Sequence, residues 1–233
     1  MTKSSSAPRF ARTFRTLIVA GIAATIAVGG AAAGSAQDPG RSSISAVPVI
    51  NADGLQIGFV TASDFDSAVT FTLTASTLEP GEHGVHIHET GVCDLAGDTV
   101  FGSAGGHFNP TGTMHGPGNA TIVTLVSEPE EGAATPVAAT SMEASPVADV
   151  ESHAGDLGNV VVDDSGRVSV TITTSSVTLL PDGENSLADA DGSALVIHAG
   201  ADDLHTDPSG ESGDRIACTV LFPPAGAAAT PEA

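Results

Sequence analysis

Short runs of alternating or β-branched residues fill this chain from Ser45 onward, and no segment there has both the period and the length of a helix. Turn-forming groups such as Asn51-Ala52-Asp53-Gly54 separate the runs. Several short strands at such spacing are typical of an antiparallel sandwich or barrel, so the sequence predicts an all-β fold. The predicted strands cover residues 46–50, 55–61, 68–75, 85–88, 159–162, 167–173, 177–180, 194–198 and 216–222, with a weaker run at 121–126.

The first 36 residues have the order of a secretory signal peptide. Basic residues without any acidic residue come first, an apolar run covers 17–33, and small residues occupy 34–36. This order predicts a signal peptide at 1–36, cleaved near Ala36, and a protein that is secreted or located in the cell envelope or periplasm. The alternative is an uncleaved membrane anchor, because the apolar run is at the short limit for a span.

The predicted mature chain is strongly acidic. It keeps Arg41, Arg167 and Arg215 and no lysine, against all 28 acidic residues of the sequence. Nucleic acids and anionic lipids are bound through clustered lysines and arginines. We therefore predict no nucleic-acid partner and no stable membrane contact after signal cleavage.

Three segments lack the pattern of a packed domain. Residues 128–151 are rich in Ala, Pro, Thr, Ser and Glu, and the tail at 223–233 has a similar composition. Such segments cannot bury enough apolar surface to offset the entropy lost on ordering. The sequence predicts one domain at 45–222 with a flexible insert at about 128–151, a flexible segment at 37–44 and a disordered tail at 223–233.

Six of the eight histidines belong to a set of seven residues that indicates a two-metal site. The set is His86, His88, His107, His115, His153, Asp156 and His198. Side chains two residues apart in a strand project from the same face, so His86 and His88 aim their rings at one point. This pair alone is equally compatible with a structural role, but His198 ends another predicted strand and can bring a third imidazole to that point.

The donor types divide the set between two metals. The imidazole nitrogens of His86, His88 and His198, together with one further nitrogen, suit Cu(II), which favours a tetragonal arrangement of imidazoles. His115, His153 and Asp156 add nitrogen and carboxylate donors, and with His107 they total the four ligands of a closed tetrahedral zinc site. One shared histidine then serves both metals.

Cys93 and Cys218 are the only cysteines. Disulfides persist in exported proteins, so one long-range bridge is the natural interpretation. The alternative is a pair of thiolate metal ligands.

Six strings surround these residues in order: HGVHIHETGVC, GSAGGHFNP, MHG, SHAGDLGN, ALVIHAGADDL and GDRIAC. Together they resemble the secreted, bacterial-type copper/zinc superoxide dismutase family, from about Ser45 to Phe222. The resemblance implies an antiparallel Greek-key β-sandwich or barrel with long metal-binding loops. It also implies copper and zinc as cofactors, and superoxide as the substrate that is converted to oxygen and hydrogen peroxide. The family includes monomers and dimers, so a homodimer is compatible with the resemblance.

The resemblance assigns the ligands motif by motif. The copper ligands that it implies are His86, His88, His107 and His198. The zinc ligands that it implies are His107, His115, His153 and Asp156, with His107 as the catalytic bridging imidazolate.

Four further residues match family positions outside the ligand sets. Arg215 matches a guanidinium beside copper that orients superoxide, and Cys93 with Cys218 matches the intrasubunit disulfide. Asp202 matches a carboxylate that links the copper and zinc sides. Taken singly, Asp202 is also compatible with a solvated loop acid, and Arg215 with a surface ion pair.

Two features depart from the family pattern. The loop between His198 and Arg215 has no lysine and carries five acidic residues, so we expect superoxide to associate more slowly than in a lysine-guided relative. The insert lengthens the interval between His115 and His153 to 38 positions. Because loop-closure cost rises slowly with length, we expect zinc binding to persist and the insert to bulge outward between ordered ends.

Two other functions fit parts of the pattern. An exported copper- and zinc-binding module without turnover needs the same histidines, but has no use for Arg215 or a bridging His107. A zinc hydrolase needs an open zinc with a nearby base, and Glu89 is predicted to point to the other face of its strand. The remaining histidines are predicted to be structural (His83) and exposed (His205).

Overall fold

The computed structural model describes residues 42–125 and 151–227. Within these ranges it contains nine strands, one 3₁₀ turn at Gly102–Ala104 and no α-helix. The strands are β1 Ser42–Asn51, β2 Gln56–Phe65, β3 Ala68–Ala75, β4 Gly81–His88, β5 Ala120–Thr124, β6 Asp156–Val162, β7 Val168–Thr174, β8 Ser193–His198 and β9 Arg215–Phe222. Every predicted strand except 177–180 is confirmed, and the weaker run at 121–126 corresponds to β5.

The strands pair antiparallel in the order β5-β7-β3-β2-β1-β9-β8-β4-β6 and form a nearly closed barrel. Neighbours such as β1 and β9 or β3 and β7 are distant in sequence, which is the crossover pattern of a Greek key. The predicted all-β antiparallel fold is therefore confirmed. This order also places β8, β4 and β6 side by side, and these three strands carry four residues of the predicted metal site.

Alternation along the strands builds the core. In β3, Val69, Phe71 and Leu73 are fully buried, whereas the threonines between them are more exposed. β7 repeats this pattern with Val170 and Ile172 buried. Burying such a side chain contributes roughly 1.5–3 kcal/mol, so the paired strands β3 and β7 supply a continuous apolar interior.

The predicted strand at 177–180 is wrong, because this segment belongs to the loop between β7 and β8. Val177 and Leu179 are buried, and the backbone pairs only through an isolated bridge between Thr178 and Ser186, so the apolar alternation reflects burial rather than a strand. Leu179 donates its N–H to the Asp64 carboxylate at 2.8 Å, and the Thr178 hydroxyl donates to the same oxygen. A buried carboxylate accepts the hydrogen bonds that a neighbouring strand would otherwise accept.

Two predicted segment boundaries differ from the structure. β1 begins at Ser42, so the flexible segment predicted at 37–44 is wrong for its last three residues, where buried Ile44 packs into the core. The predicted disordered tail is ordered at its start, where Ala225 donates its N–H to Ala190 O at 2.8 Å.

Other predicted segments lie outside the described residues. They are the signal peptide at 1–36, residues 128–150 of the insert and residues 228–233 of the tail. In the part of the chain that the structure describes, no helix has the length and apolar character needed to cross a membrane.

Candidate metal centre

Strand ends carry four residues of the centre. His86 and His88 close β4, and His198 closes the neighbouring antiparallel strand β8. On the other side of β4, Asp156 opens β6 and pairs with His86. The sheet thus sets the direction of these side chains before any metal binds.

Loops carry the other three histidines. His107 follows the 3₁₀ turn, and a β-bridge to His88 holds its backbone. His115 and His153 lie on either side of the insert. Near them, the Thr113 hydroxyl donates to Ser152 O at 2.8 Å and joins the two arms of the loop.

One donor group consists of four buried histidines, His86, His88, His107 and His198, and we call it the imidazole group. Each contributes a ring nitrogen, and these nitrogens lie within 4.8 Å of one another. The Nε2 atoms of His88 and His198 are 3.4 Å apart, and the rings of His86 and His107 stack with centroids 3.9 Å apart. Four converging imidazoles are the donor set that Cu(II) prefers.

Backbone carbonyls orient two of these rings. His88 Nδ1 is 3.0 Å from Gly105 O, and His198 Nδ1 is 3.1 Å from Gly213 O. A carbonyl oxygen only accepts, so each Nδ1 carries the hydrogen and each Nε2 keeps its lone pair. Both Nε2 atoms are therefore left to bind a metal.

The second donor group, which we call the mixed group, contains His107, His115, His153 and Asp156. Asp156 Oδ1 lies 2.8, 3.1 and 3.2 Å from the Nδ1 atoms of His107, His115 and His153, respectively. The Nδ1 atoms of His153 and His107 are 3.4 Å apart. Ligands at ordinary zinc distances in a tetrahedron are about 3.3 Å apart, so this group has the size of a zinc site.

Two buried ring nitrogens have no hydrogen-bond partner and no close carboxylate among the described residues: His86 Nδ1 and His107 Nε2. Leaving a buried polar atom unpaired costs about 1–3 kcal/mol, so these atoms call for a partner. Each is on a ring of a donor group, and the donor types fit copper and zinc. His107 belongs to both groups, with Nδ1 beside Asp156 and Nε2 left over.

Asp202 contacts one ring of each donor group. Its Oδ2 is 2.7 Å from His86 Nε2, and its Oδ1 is 2.9 Å from His115 Nε2. The Asn159 side chain holds the backbone of Asp202: its Nδ2 donates to Asp202 O at 2.8 Å, and its Oδ1 accepts the Asp202 N–H at 2.7 Å. Gly210 covers the carboxylate so closely that a Cβ there would lie 1.7 Å from Asp202 Oδ1.

In the absence of metal, the histidines of the two groups differ in pKa. Burial lowers the pKa of His198 to about 3 and that of His107 to about 4. Burial also lowers the pKa of His115, but the carboxylates of Asp156 and Asp202 outweigh it and raise this pKa to about 10. Burial disfavours ionisation of both carboxyls, yet hydrogen bonds from the histidines hold their pKa values well below the usual range.

Arg215 lies at the edge of the imidazole group. It pairs with His198 across β8 and β9 and is partly exposed. Its guanidinium donates to Phe101 O at 2.6 Å and to Gly105 O at 2.5 Å. Gly105 O therefore holds both Arg215 and His88.

The predicted disulfide between Cys93 and Cys218 is present, with Cα atoms 5.9 Å apart. It ties the loop after β4 to β9, three residues beyond Arg215, and leaves no cysteine for metal binding.

The remaining histidines lie outside both donor groups. His83 is buried, and its two ring nitrogens face His198 O and Glu79 O, so the predicted structural role is confirmed. His205 is exposed, as predicted. Sequence reasoning missed the supporting carbonyls of Gly105 and Gly213, because every residue has a carbonyl and only the fold selects these two.

A family model described as copper/zinc superoxide dismutase matches residues 56–221. The chain belongs to the copper/zinc superoxide dismutase family. Copper and zinc are the cofactors of this superoxide dismutase family, and its members are oxidoreductases. The match includes every residue of both donor groups.

Among its relatives, superoxide dismutase [Cu-Zn] 2 of Aquifex aeolicus is 38% identical over 174 residues, which cover 74% of this chain and 83% of the relative. The superoxide dismutase-like protein YojM of Bacillus subtilis is 33% identical over 178 residues, covering 76% and 74% of the two chains.

Solved structures show the same similarity. A SOD-like protein from Bacillus subtilis has a TM-score of 0.57 at 33% identity, covering 77% of this chain and 99% of that chain. The Cu/Zn superoxide dismutase from Brucella abortus has a TM-score of 0.53 at 25% identity, covering 77% and 99%.

Proposed function

We propose that this protein is an exported superoxide dismutase that uses copper and zinc joined by one histidine. The proposed copper ligands are His86, His88, His107 and His198. The proposed zinc ligands are His107, His115, His153 and Asp156. The observation that carries the proposal is His107, a buried ring that belongs to both donor groups.

Bound copper supplies a one-electron redox couple, and bound zinc supplies a redox-silent positive charge. The part of the protein is to hold donor atoms in place. Gly105 O and Gly213 O fix the tautomers of His88 and His198, and Asp202 fixes His86 and His115 through their outer nitrogens. Such supporting contacts set both ligand orientation and ligand basicity.

Arg215 is proposed to orient the superoxide anion. Two backbone carbonyls hold its guanidinium beside the imidazole group, and its positive charge faces a partly exposed position. A planar guanidinium has five N–H donors, so donors remain for an anion after these two bonds. The Cys93–Cys218 disulfide anchors β9 three residues beyond Arg215 and helps to keep Arg215 there.

Dismutation consumes two superoxide anions and two protons, oxidising one superoxide to oxygen and reducing the other to hydrogen peroxide. His107 is proposed to supply one of the protons from Nε2. This atom has no hydrogen-bond partner among the described residues and lies at the imidazole group, where the anion reacts. Bound zinc would withdraw electron density from the His107 ring and acidify it, which would help a proton on Nε2 to leave.

Attraction of superoxide is proposed to depend on the metals and Arg215 alone. The loop between His198 and Arg215 has no lysine, and three of its five acids are already engaged. Asp202 contacts the histidines, Asp203 accepts from Thr206 and the His205 N–H, and Asp207 accepts the His115 N–H at 2.6 Å. We expect an association rate that changes little with added salt. Strong slowing of the rate constant by salt would show instead that the surface guides the anion.

Metal content and superoxide decay, measured on the full chain and on His107→Ala, test the proposed function. We expect the unchanged protein to bind one copper and one zinc and to remove superoxide catalytically. His107→Ala should lose activity, with loss of metal indicating a ligand role and retained metal indicating a bridging role. Full metal loading without turnover in the unchanged protein would support the alternative of a metal-binding module.

A further inference from the structure

We propose that Glu89 is a positioning residue for the metal centre, an inference that rests on the function proposed above. Glu89 directly follows the last residue of β4, is exposed and contributes no atom to either donor group. The sequence alone predicts that it points away from the site. In the structure it holds the segment that leads into His107.

Two hydrogen bonds join Glu89 to Gly106. Glu89 donates its backbone N–H to Gly106 O at 3.0 Å, and its carboxylate Oε1 accepts the Gly106 N–H at 2.9 Å. Both backbone polar groups of Gly106 are thus bonded to one residue. Because His107 comes next, these bonds restrict the backbone that carries the shared imidazole.

The Glu89 side chain also packs on Gly105. A Cβ at Gly105 would lie 2.7 Å from both Cγ and Oε1 of Glu89, and the φ of Gly105 is +77°. A glycine is therefore required beneath the carboxylate. The carbonyl of this glycine accepts from Arg215 at 2.5 Å and from His88 Nδ1 at 3.0 Å.

Glu89 therefore supports three functional groups at once through two adjacent glycines. Gly105 O fixes the tautomer of one proposed copper ligand, His88, and the place of Arg215. Gly106 fixes the approach to His107. A displacement of this dipeptide would shift all three groups together.

An electrostatic role and a positioning role of Glu89 predict different effects when the residue is replaced. A carboxylate near the site repels superoxide, so if charge were its main contribution, any neutral replacement would speed the reaction. A positioning role separates two neutral replacements. Glutamine keeps an acceptor oxygen where Oε1 lies, whereas alanine removes it.

The test compares Glu89→Gln and Glu89→Ala in the copper- and zinc-loaded full chain. Readouts are the copper EPR spectrum, hydrogen exchange at the Gly106 amide, and kcat/KM for superoxide. For Glu89→Ala we expect a shifted spectrum, about tenfold faster Gly106 exchange and about tenfold lower kcat/KM. Glu89→Gln should keep the original spectrum and amide protection, with kcat/KM no lower than in the unchanged protein.

Glu82→Ala is the matched control. Glu82 is likewise an exposed acid, within β4, but its side chain makes no hydrogen bond within the described ranges, so the same loss of charge should leave spectrum and exchange unchanged. Identical copper spectra for Glu89→Ala and the unchanged protein would overturn the proposal. Equal shifts in the alanine and glutamine variants would also overturn it.

Two glycine variants keep the proposal testable if Glu89→Ala does not fold. Gly105→Ala places a Cβ against the Glu89 carboxylate and should shift the copper spectrum, whereas Gly102→Ala meets only an ordinary contact with Thr99 at 3.5 Å and should not. An unshifted spectrum in Gly105→Ala would count against the proposal. Spectrum and exchange do not require turnover, so they test Glu89 separately from the proposed dismutase activity.

Discussion

The imidazole group and the mixed group share His107 but are built differently. The imidazole group takes three of its donors from the paired strands β4 and β8. The mixed group takes His115 and His153 from the two arms of the loop that contains the insert, and its geometry centres on the Asp156 carboxylate. Strand pairing fixes donors through the backbone ladder, whereas loop donors depend on side-chain contacts. Copper-side geometry should therefore survive changes that abolish zinc binding.

The largest contrast is expected between His198→Ala and His153→Ala. Removing His198 takes away a proposed copper ligand, so we expect kcat/KM to fall about a thousandfold while zinc is retained. Removing His153 should abolish tight zinc binding but leave copper bound, with a smaller loss of about 10- to 100-fold. Metal analysis and superoxide decay on both variants measure the contrast. Loss of copper in His153→Ala would break it.

Asp202→Ala should weaken zinc binding by about 10- to 100-fold, because the outer nitrogens of His86 and His115 would lose their acceptor. The neighbouring Asp203→Ala is the control, since Asp203 bonds to Thr206 and the His205 N–H rather than to either donor group. Competition with a zinc chelator measures the affinities. Equal losses in both variants would mean that general loop stability is responsible.

Zinc binding should release the proton held by the charged His115 ring. The pKa of His115 is raised to about 10, so its ring is protonated at neutral pH and must lose the proton to bind zinc. Zinc affinity should therefore rise about tenfold per pH unit from pH 6 to 9. His198 and His107, with pKa values lowered by burial, are already neutral in this range. Calorimetry in buffers of different ionisation enthalpy measures the protons released, and zinc binding without release would contradict this assignment.

Deleting residues 126–150 should have the smallest effect. The Thr113–Ser152 hydrogen bond holds the two arms of the loop together independently of that segment. Each doubling of loop length costs only about 0.6 kcal/mol, so zinc affinity should change less than about tenfold. The same competition assay applies. A hundredfold rise in affinity would show that the insert strains the mixed group.

Strand positions were predictable wherever burial and pairing coincide. β3 has its predicted bounds because each apolar residue faces the core and each threonine faces a neighbouring threonine or outward. The segment 177–180 shows the same alternation, yet it pairs only through the isolated bridge at Thr178, and Leu179 bonds to the carboxylate of Asp64, more than a hundred residues away. No local pattern distinguishes these two cases.

The candidate donors were predictable because ligand chemistry restricts them to histidine and aspartate. Their supports were not. Gly105 O and Gly213 O act through backbone atoms, and Glu89 acts by bonding to a glycine seventeen positions along the chain. Such contacts depend on where the fold brings the backbone, which residue type does not encode.

The EPR spectrum of the protein loaded with Cu(II) in both donor groups tests the shared histidine most directly. Two Cu(II) ions joined by a single imidazolate couple antiferromagnetically, so we predict that most of the signal disappears at low temperature and returns when zinc replaces copper in the mixed group. His107→Ala should lose this coupling. Two independent Cu(II) signals of full intensity in the unchanged protein would contradict a bridge at His107.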